Sequence, residues 1–485
     1  MRRLLTGLAL AATAVGATVT PARPAGAQTT PPQPAPAPTP APTPAPTTPP
    51  PAAPISSQPT AAPAAAAAPR TTARDSNTSS FEIGGMQVIL RRVTANQVVA
   101  ANLYLLGGTR QTSSRQAGLE PLLLEASEQG TLHYPREQLR IQMARLGTSI
   151  GVGADHDWTT FALRSTPATL DSTWAIFADR LLHPTLDSAG VELVRAQLLG
   201  AVRQRRDDPD ASLDYLADSV AFTGTPYGGS PLGTTASLAR LTPADLRRYE
   251  REQMVTSRML LVVVGDVTRE HLIQLITTTI GTLPRGDYRW TPPALPATWN
   301  GALAVERRTL PTNYVLGYFP GAAAAGPDYV PLRIAAAVLS GRFFSEIRSK
   351  RNLSYAVDAR FLERASGAAG LYVTTVDPRT TLRIMREELS NLQEGWITSR
   401  GLEQLTQHFI TEYFLENETN GDQANFLARA QLYRGDWHRA AHFADELRAV
   451  TPADVRRVSR QYLHGLRLAY IGDPSKLDPA VVGTF

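Results

Sequence analysis

Hydrophobic positions along this chain follow two periods that alternate from one stretch to the next. Apolar runs at 98–106, 161–165, 259–264, 371–376 and 466–471 are short, rich in branched residues and bounded by turn residues, so they predict strands. Val191, Val194, Leu198 and Val202 recur every three or four positions, which predicts a helix over 194–206 with one apolar face. Two further helix starts are marked by a threonine cap followed by proline in the first turn, at Thr242-Pro243 and Thr451-Pro452.

These signals repeat. Thr242-Pro243-Ala244-Asp245 returns as Thr451-Pro452-Ala453-Asp454, and each is followed by an apolar strand closed by Gly-Asp, at 265–266 and 472–473. Upstream of each, a strand stops at Thr166-Pro167 or Asp377-Pro378 before a helix. The pairs Pro167/Pro378, Pro243/Pro452 and Gly265/Gly472 lie 211, 209 and 207 residues apart, a near-constant spacing that chance turn residues would not keep. Two copies of one α+β unit follow, each with strands first, then a long helical stretch, then a last strand, rather than a strict β-α-β alternation. The expected organisation is a first domain at 77–285, a linker at 286–300 in a stretch marked by Pro284, Pro292, Pro293 and Pro296, and a second domain at 301–485.

The first residues add a different expectation. Arg2-Arg3, an apolar run from 4 to 17 and Ala25-Gly26-Ala27 read as a secretory signal over 1–27, too short to span a bilayer comfortably. Residues 28–76 are dominated by Pro, Ala and Thr, with almost nothing to bury, and read as an extended linker. The expected location is therefore periplasmic or extracellular, with no transmembrane segment in the mature chain. The chain holds no cysteine, which excludes disulfides, thiolate zinc sites and thiol nucleophiles. A net charge of +5 raises the question of nucleic acid, but the cations are scattered arginines, and Arg203, Arg205 and Arg206 are followed at once by Asp207, Asp208 and Asp210. A phosphate-binding face needs clustering, so no nucleic-acid partner is expected.

Candidate chemistry centres on residues 118–131, G-L-E-P-L-L-L-E-A-S-E-Q-G-T, which follow the 98–106 strand and the turn at 107–110. The order resembles the start of the pitrilysin/insulinase family of zinc metallopeptidases, to which the mitochondrial processing peptidases belong and in which this helix typically reads G-L-A-H-F-L-E-H-M-L-F-K-G-T. Gly118, Leu119, Gly130 and Thr131 fall in register. The resemblance implies two homologous α+β domains, each a mixed, mainly antiparallel sheet packed with helices, in the LuxS/processing-peptidase-like architecture. It also places the two zinc-binding histidines on Pro121 and Glu125 and the water-activating glutamate on Leu124. The third ligand falls on Ala201, and the family's other glutamate of that helix on Val194. Zinc hydrolysis needs imidazoles to hold the metal and a carboxylate to take a proton from its water, so neither catalytic residues nor metal are expected in this chain. Glu125 is most simply a solvent-facing helix residue. Three candidate ligands elsewhere, His438, His442 and Glu446, would be strung along one helix over about 12 Å, too far apart to converge on one ion.

The second half keeps what the first lost. Residues 341–357, G-R-F-F-S-E-I-R-S-K-R-N-L-S-Y-A-V, resemble the family's second-domain segment in which an arginine is followed seven residues later by a tyrosine, here Arg348 and Tyr355. The stretch after Leu339-Ser340-Gly341 is shorter than the family's glycine-rich run. In the family that pair reaches the zinc site of the other half and touches substrate, a task suited to guanidinium and phenol donors facing a carbonyl or developing oxyanion. A chain with this pair and no zinc ligands resembles the non-catalytic, substrate-binding member of a two-chain peptidase. That resemblance implies a heterodimer with an H-x-x-E-H-bearing partner that supplies the zinc, acting on peptides or unfolded protein. The alternatives are a non-enzymatic scaffold or peptide-binding protein of the same fold, and a metallopeptidase with a relocated site.

Overall fold

Met259–Gly265, M-L-L-V-V-V-G, is buried along its whole length, and the reason organises the fold: both faces of its sheet are covered. The computed structural model describes residues 77–293 and 299–485, so the signal over 1–27 and the Pro-rich linker over 28–76 lie outside the described residues, as does Pro296. The first half contains β1 (Thr78–Ile83), β2 (Met86–Arg92), β3 (Val99–Leu106), α1 (Leu119–Ala126), α2 (Arg136–Leu146), β4 (Ser149–Ala154), β5 (Trp158–Ser165), α3 (Leu170–Leu182), α4 (Ser188–Asp207), α5 (Pro209–Ala221), α6 (Thr235–Leu238), α7 (Pro243–Gln253), β6 (Met259–Gly265) and α8 (Arg269–Thr277). The second half contains β7 (Ala302–Arg307), β8 (Asn313–Ala323), α9 (Tyr329–Phe343), β9 (Val357–Asp358), β10 (Phe361–Leu362), β11 (Ser366–Thr375), α10 (Pro378–Glu394), α11 (Ser399–Glu416), α12 (Asn420–Arg434), α13 (Arg439–Arg448), α14 (Pro452–Tyr462) and β12 (Arg467–Gly472).

The repeat is real in three dimensions. One sheet runs β1-β2-β6-β3-β5-β4 and the other β10-β11-β8-β12-β7, with β9 also on β11. Thus β2-β6-β3-β5 and β7-β12-β8-β11 are the same arrangement, each with one parallel pair, β2/β6 or β7/β12, among antiparallel neighbours. The repeated Thr-Pro-Ala-Asp motif opens α7 and α14 with the same capping box, Thr242 with Asp245 and Thr451 with Asp454.

Each half then lends a helix to the other. Met259, Leu261 and Val263 of β6 face the core of their own half, whereas Leu260, Val262 and Val264 face a cluster that includes Ala424, Leu427 and Ala428 of α12. Reciprocally, Leu213, Ala217 and Ala221 of α5 pack on Leu316, Tyr318, Ala469 and Ile471 of the second sheet. Helices α5 and α12 start at Pro209 and Asn420, so they are equivalent elements of the repeat. Each fully buried leucine here contributes about 1.5–3 kcal/mol to holding the halves together.

Polar contacts fix the register of this exchange. Asp157, in the β4–β5 turn and 1% exposed, accepts hydrogen bonds from the hydroxyls of Tyr227 and Tyr433 at 3.0 Å and from the Ala365 amide at 3.1 Å. Arg364 forks onto Asp218 of α5, and Tyr104 of β3 donates to Asn425 of α12 at 2.6 Å. The described part of the linker is tied down as well: Trp290 Nε1 donates to the Leu432 carbonyl at 2.9 Å, and the Arg110 guanidinium lies 4.6 Å over the Trp290 ring.

Candidate functional site

Helix α1 opens on Gly118 at φ 85°, where a side chain would strike the Leu232 carbonyl, and the chain after it turns on Gly130 at φ 144°. Both positions demand glycine, which is why the frame of the motif survives although its chemistry does not. Helix α1 packs against α4, β4 and α7, so the positions of the family ligands on α1 and α4 belong to two helices in contact. Pro121 sits in the first turn of α1, where the missing N–H costs nothing, and is buried; Leu124 is 1% exposed. Facing them, α4 offers Val194, buried in the same apolar cluster as Leu122 to Leu124, and Ala201. The site therefore contributes one carboxylate, Glu125, and hydrocarbon. A tetrahedral zinc ion needs at least three protein donors, so the residues present do not fit the metal.

Glu125 departs from expectation. It is half-buried rather than solvent-facing, because α1 is only two turns long and is covered on several sides. Burial, with Glu128 adding to it and Arg180 opposing, pushes its carboxyl up to about 7. Arg180 of α3, 1% exposed, lies under the end of α1: its Nε donates to Ser127 Oγ at 3.0 Å, Nη2 to the Leu124 carbonyl at 3.2 Å and Nη1 to the Ile150 carbonyl of β4 at 3.3 Å. A cation at the carbonyl end of a helix is favourable, and this one also joins α1 to the edge strand.

A second buried charge pins the other end of α1. Glu120, 3% exposed, pairs with Arg258 at 2.6 Å and accepts from the Tyr249 hydroxyl at 2.8 Å. Burial disfavours the Arg258 cation, yet Glu120 and Tyr249 outweigh it and hold the guanidinium above its ordinary value. Sequence reasoning passed over Glu120, Arg258, Arg180 and Asp157. Only Glu120 left a trace, as a carboxylate inside an otherwise apolar run.

The structure brings Arg348 and Tyr355 together. Helix α9 continues into a π-helical turn, Phe344–Ser349, anchored by the buried Phe343 and Ile347. That turn points Arg348 toward the bend before β9, where its guanidinium lies 4.4 Å from the Tyr355 ring centroid and 5.0 Å from that of Phe344. Tyr355 is 79% exposed and Phe344 47%. Glu346 is occupied by Lys350 and Arg351, and among the described residues no carboxylate pairs with Arg348. The planar cation is thus oriented by stacking while its donors remain available to a ligand.

The other candidate ligands do not converge. His438 precedes α13 instead of lying within it, with Nδ1 at 2.6 Å from Asp436, while Glu446 pairs with Arg434 and Arg439. Among the described residues strand β4 pairs only with β5, which makes it the edge strand of its sheet, beside α1.

Comparison with known proteins agrees with this geometry. Residues 87–235 match the family Insulinase (Peptidase family M16), and residues 240–407 match the Peptidase M16 inactive domain. An uncharacterized zinc protease of Mycobacterium leprae is 23% identical over 395 residues, 79% of this chain and 88% of the relative. The mitochondrial-processing peptidase subunit beta of Blastocladiella emersonii is 23% identical over 409 residues, 80% of this chain and 86% of the relative. The crystal structure of a peptidase M16 inactive domain from Pseudomonas fluorescens shares the fold with a TM-score of 0.74 at 18% identity, over 83% of this chain and 100% of that one. With both halves of the repeat matched and the metal-holding helices in place but without their ligands, the chain belongs to the pitrilysin/insulinase family of zinc metallopeptidases and lacks its H-x-x-E-H motif.

Proposed function

We propose that this chain is the non-catalytic, substrate-binding subunit of an exported two-chain zinc metallopeptidase. Residues 77–285 and 301–485 are its two domains, and it acts outside the cytoplasm after loss of residues 1–27. The partner carries H-x-x-E-H and the zinc. This chain closes the chamber and presents Arg348 and Tyr355 to the partner's active site, where the guanidinium and phenol hold the scissile carbonyl and the charge that develops on it. An extended peptide adds to the open edge of β4, with main-chain hydrogen bonds supplying affinity and little sequence preference.

One observation carries the proposal: the family ligand positions on α1 and α4 hold a single carboxylate, Glu125, while Arg348 is held by two aromatic rings and spends its charge on no carboxylate among the described residues. Among those residues no helix is long and apolar enough to cross a membrane. The test is co-purification with a zinc-bearing family member from the same cell, followed by peptide hydrolysis. Wild-type chain should raise the partner's turnover, and Arg348→Ala with Tyr355→Phe should lower it by about 10²–10³-fold, the range for removing an oxyanion donor, with the complex still formed. Full activity of the partner alone, unchanged by either version of this chain, removes the proposal and leaves a scaffold.

A further inference from the structure

The geometry points to Asn352 as the positioning residue of the Arg348 and Tyr355 pair: its left-handed backbone, rather than its side chain, seats the Tyr355 ring on the Arg348 guanidinium. This inference rests on the proposed substrate-binding role of that pair. Asn352 has φ 49°, and among the described residues Leu186 is the only other non-glycine residue at positive φ. Leu186 is 1% exposed and held by the apolar core, whereas Asn352 is exposed and its side chain makes no hydrogen bond among the described residues. Packing accounts for the first and not for the second. Uncommon backbone of this kind gathers where function fixes geometry, and asparagine tolerates it better than most residues.

The local hydrogen bonds show what the conformation achieves. Asn352 N–H donates to the Arg348 carbonyl at 3.1 Å and, enclosing that bond, Leu353 N–H donates to the Ile347 carbonyl at 3.0 Å. This nested pair closes the chain as a left-handed cap closes a helix, each ring one residue wider because the helix ends in the π-helical turn Phe344–Ser349. Upstream, Phe343 and Ile347 anchor that turn in the core. Downstream, the Leu353 carbonyl accepts from Thr375 Oγ1 at 2.9 Å, the buried Ser354 hydroxyl donates to the Ala356 carbonyl at 2.8 Å, and the Thr374 N–H donates to that same carbonyl at 3.0 Å. The two sides are thus fastened separately, and φ at 352 sets how they meet. Tyr355 is not held by burial: it is 79% exposed, its hydroxyl makes no hydrogen bond among the described residues, and its ring meets the Arg348 guanidinium at 4.4 Å because the backbone delivers it there. A β-branched residue at 352 disfavours the left-handed turn by about 5–30-fold against other arrangements of the same loop.

The experiment compares Asn352→Val with Asn352→Gly in the full chain, alone and in complex with the zinc-bearing partner. In the chain alone, carrying isotope-labelled tyrosine, the Tyr355 ring resonance, assigned with Tyr355→Phe, should move in Asn352→Val as it does in Arg348→Ala, and should stay in place in Asn352→Gly. In the complex, Asn352→Val should lower kcat by about 5–30-fold and change KM less, while Asn352→Gly stays within about twofold of wild type. Asn352→Val should add no loss to Arg348→Ala with Tyr355→Phe, because it acts through them. Asn352 is exposed, so its replacement leaves folding intact, checked by circular dichroism and by complex formation. An unmoved ring resonance or wild-type turnover in Asn352→Val, an equal loss in Asn352→Gly, or a further loss on top of the double replacement each overturns the assignment. If Arg348→Ala with Tyr355→Phe leaves turnover unchanged, the proposed function falls and the ring resonance alone decides the positioning.

Discussion

Replacing Arg258 by methionine tests how α1 is held without a metal. Methionine keeps most of the stem and volume and removes the charge. In the native chain Arg258 is 0% exposed, its Nη2 lies 2.6 Å from Glu120 and its Nε donates to the Leu106 carbonyl at 2.7 Å. Without it, the Glu120 carboxylate stays buried with the Tyr249 hydroxyl as its one donor, since its Oε1 has no hydrogen bond. Stranding one half of a buried ion pair costs about 3–5 kcal/mol. The orphaned Leu106 carbonyl belongs to the same loss and is not added to it. Removing both charges, as Glu120→Leu with Arg258→Met, should recover most of that loss, because an apolar pair of similar volume needs no compensation; the unsatisfied Tyr249 hydroxyl leaves about 1–3 kcal/mol behind. Urea unfolding of the full chain, followed by circular dichroism, gives the three stabilities at a common m value. An Arg258→Met variant within about 1 kcal/mol of wild type, or a double variant no more stable than Arg258→Met alone, would refute the clamp.

Further outcomes follow from the same geometry. Burial and Glu128 raise the Glu125 carboxyl to about 7, so between the ordinary carboxylate range and pH 7 the folded chain binds the extra proton; this contribution is complete at low pH and lost as pH rises through about 7. Glu125→Gln should therefore gain stability over wild type at pH 8 and lose that advantage toward pH 4.5, read as the difference in urea midpoints; a pH-independent difference contradicts the shift. Restoring the donor set with Pro121→His, Leu124→Glu, Glu125→His and Ala201→Glu should produce a chain that retains zinc through dialysis against a mild chelator, measured by elemental analysis, while wild type retains none at α1/α4. Zinc loss from the restored chain would mean that α1 and α4 no longer hold the family spacing. Asp157→Asn should cost about 1–3 kcal/mol, because an amide cannot accept from two tyrosines and the Ala365 N–H as a carboxylate does, and should raise hydrogen exchange in α12 and in the β4–β5 turn; unchanged exchange there would show that the apolar exchange of α5 and α12 suffices.

The sequence by itself determined the repeat and the strand and helix signals that carry it, whereas the positions of the missing ligands and of Arg348 and Tyr355 were assigned through the resemblance to the family. Those signals are local: a threonine cap, a proline in a first turn, an apolar run or a glycine at positive φ acts within a few residues, so it is legible in a string. Weakly hydrophobic strands were not. Strand β11 begins at Ser366, five residues before the apolar run that marks it, because Ser366 to Gly370 are small residues chosen for close approach to β8, where a side chain on Gly321 would strike the Gly367 carbonyl. Strand β4 is hidden by its glycines in the same way. Glu125 was misread for a related reason: a short helix with a polar residue looks solvent-facing until its neighbours are known.

Tertiary structure alone decided which face each buried charge meets. Glu120 finds Arg258, Arg180 caps α1 while holding β4, and Asp157 gathers two tyrosines from opposite halves, all across long separations in the chain. It also decided the exchange of α5 and α12, since no periodicity within a helix says whose sheet it covers. The physical reason is common to all of these. A buried charge or an apolar face is worth what its partner makes it worth, and the partner is chosen by the fold.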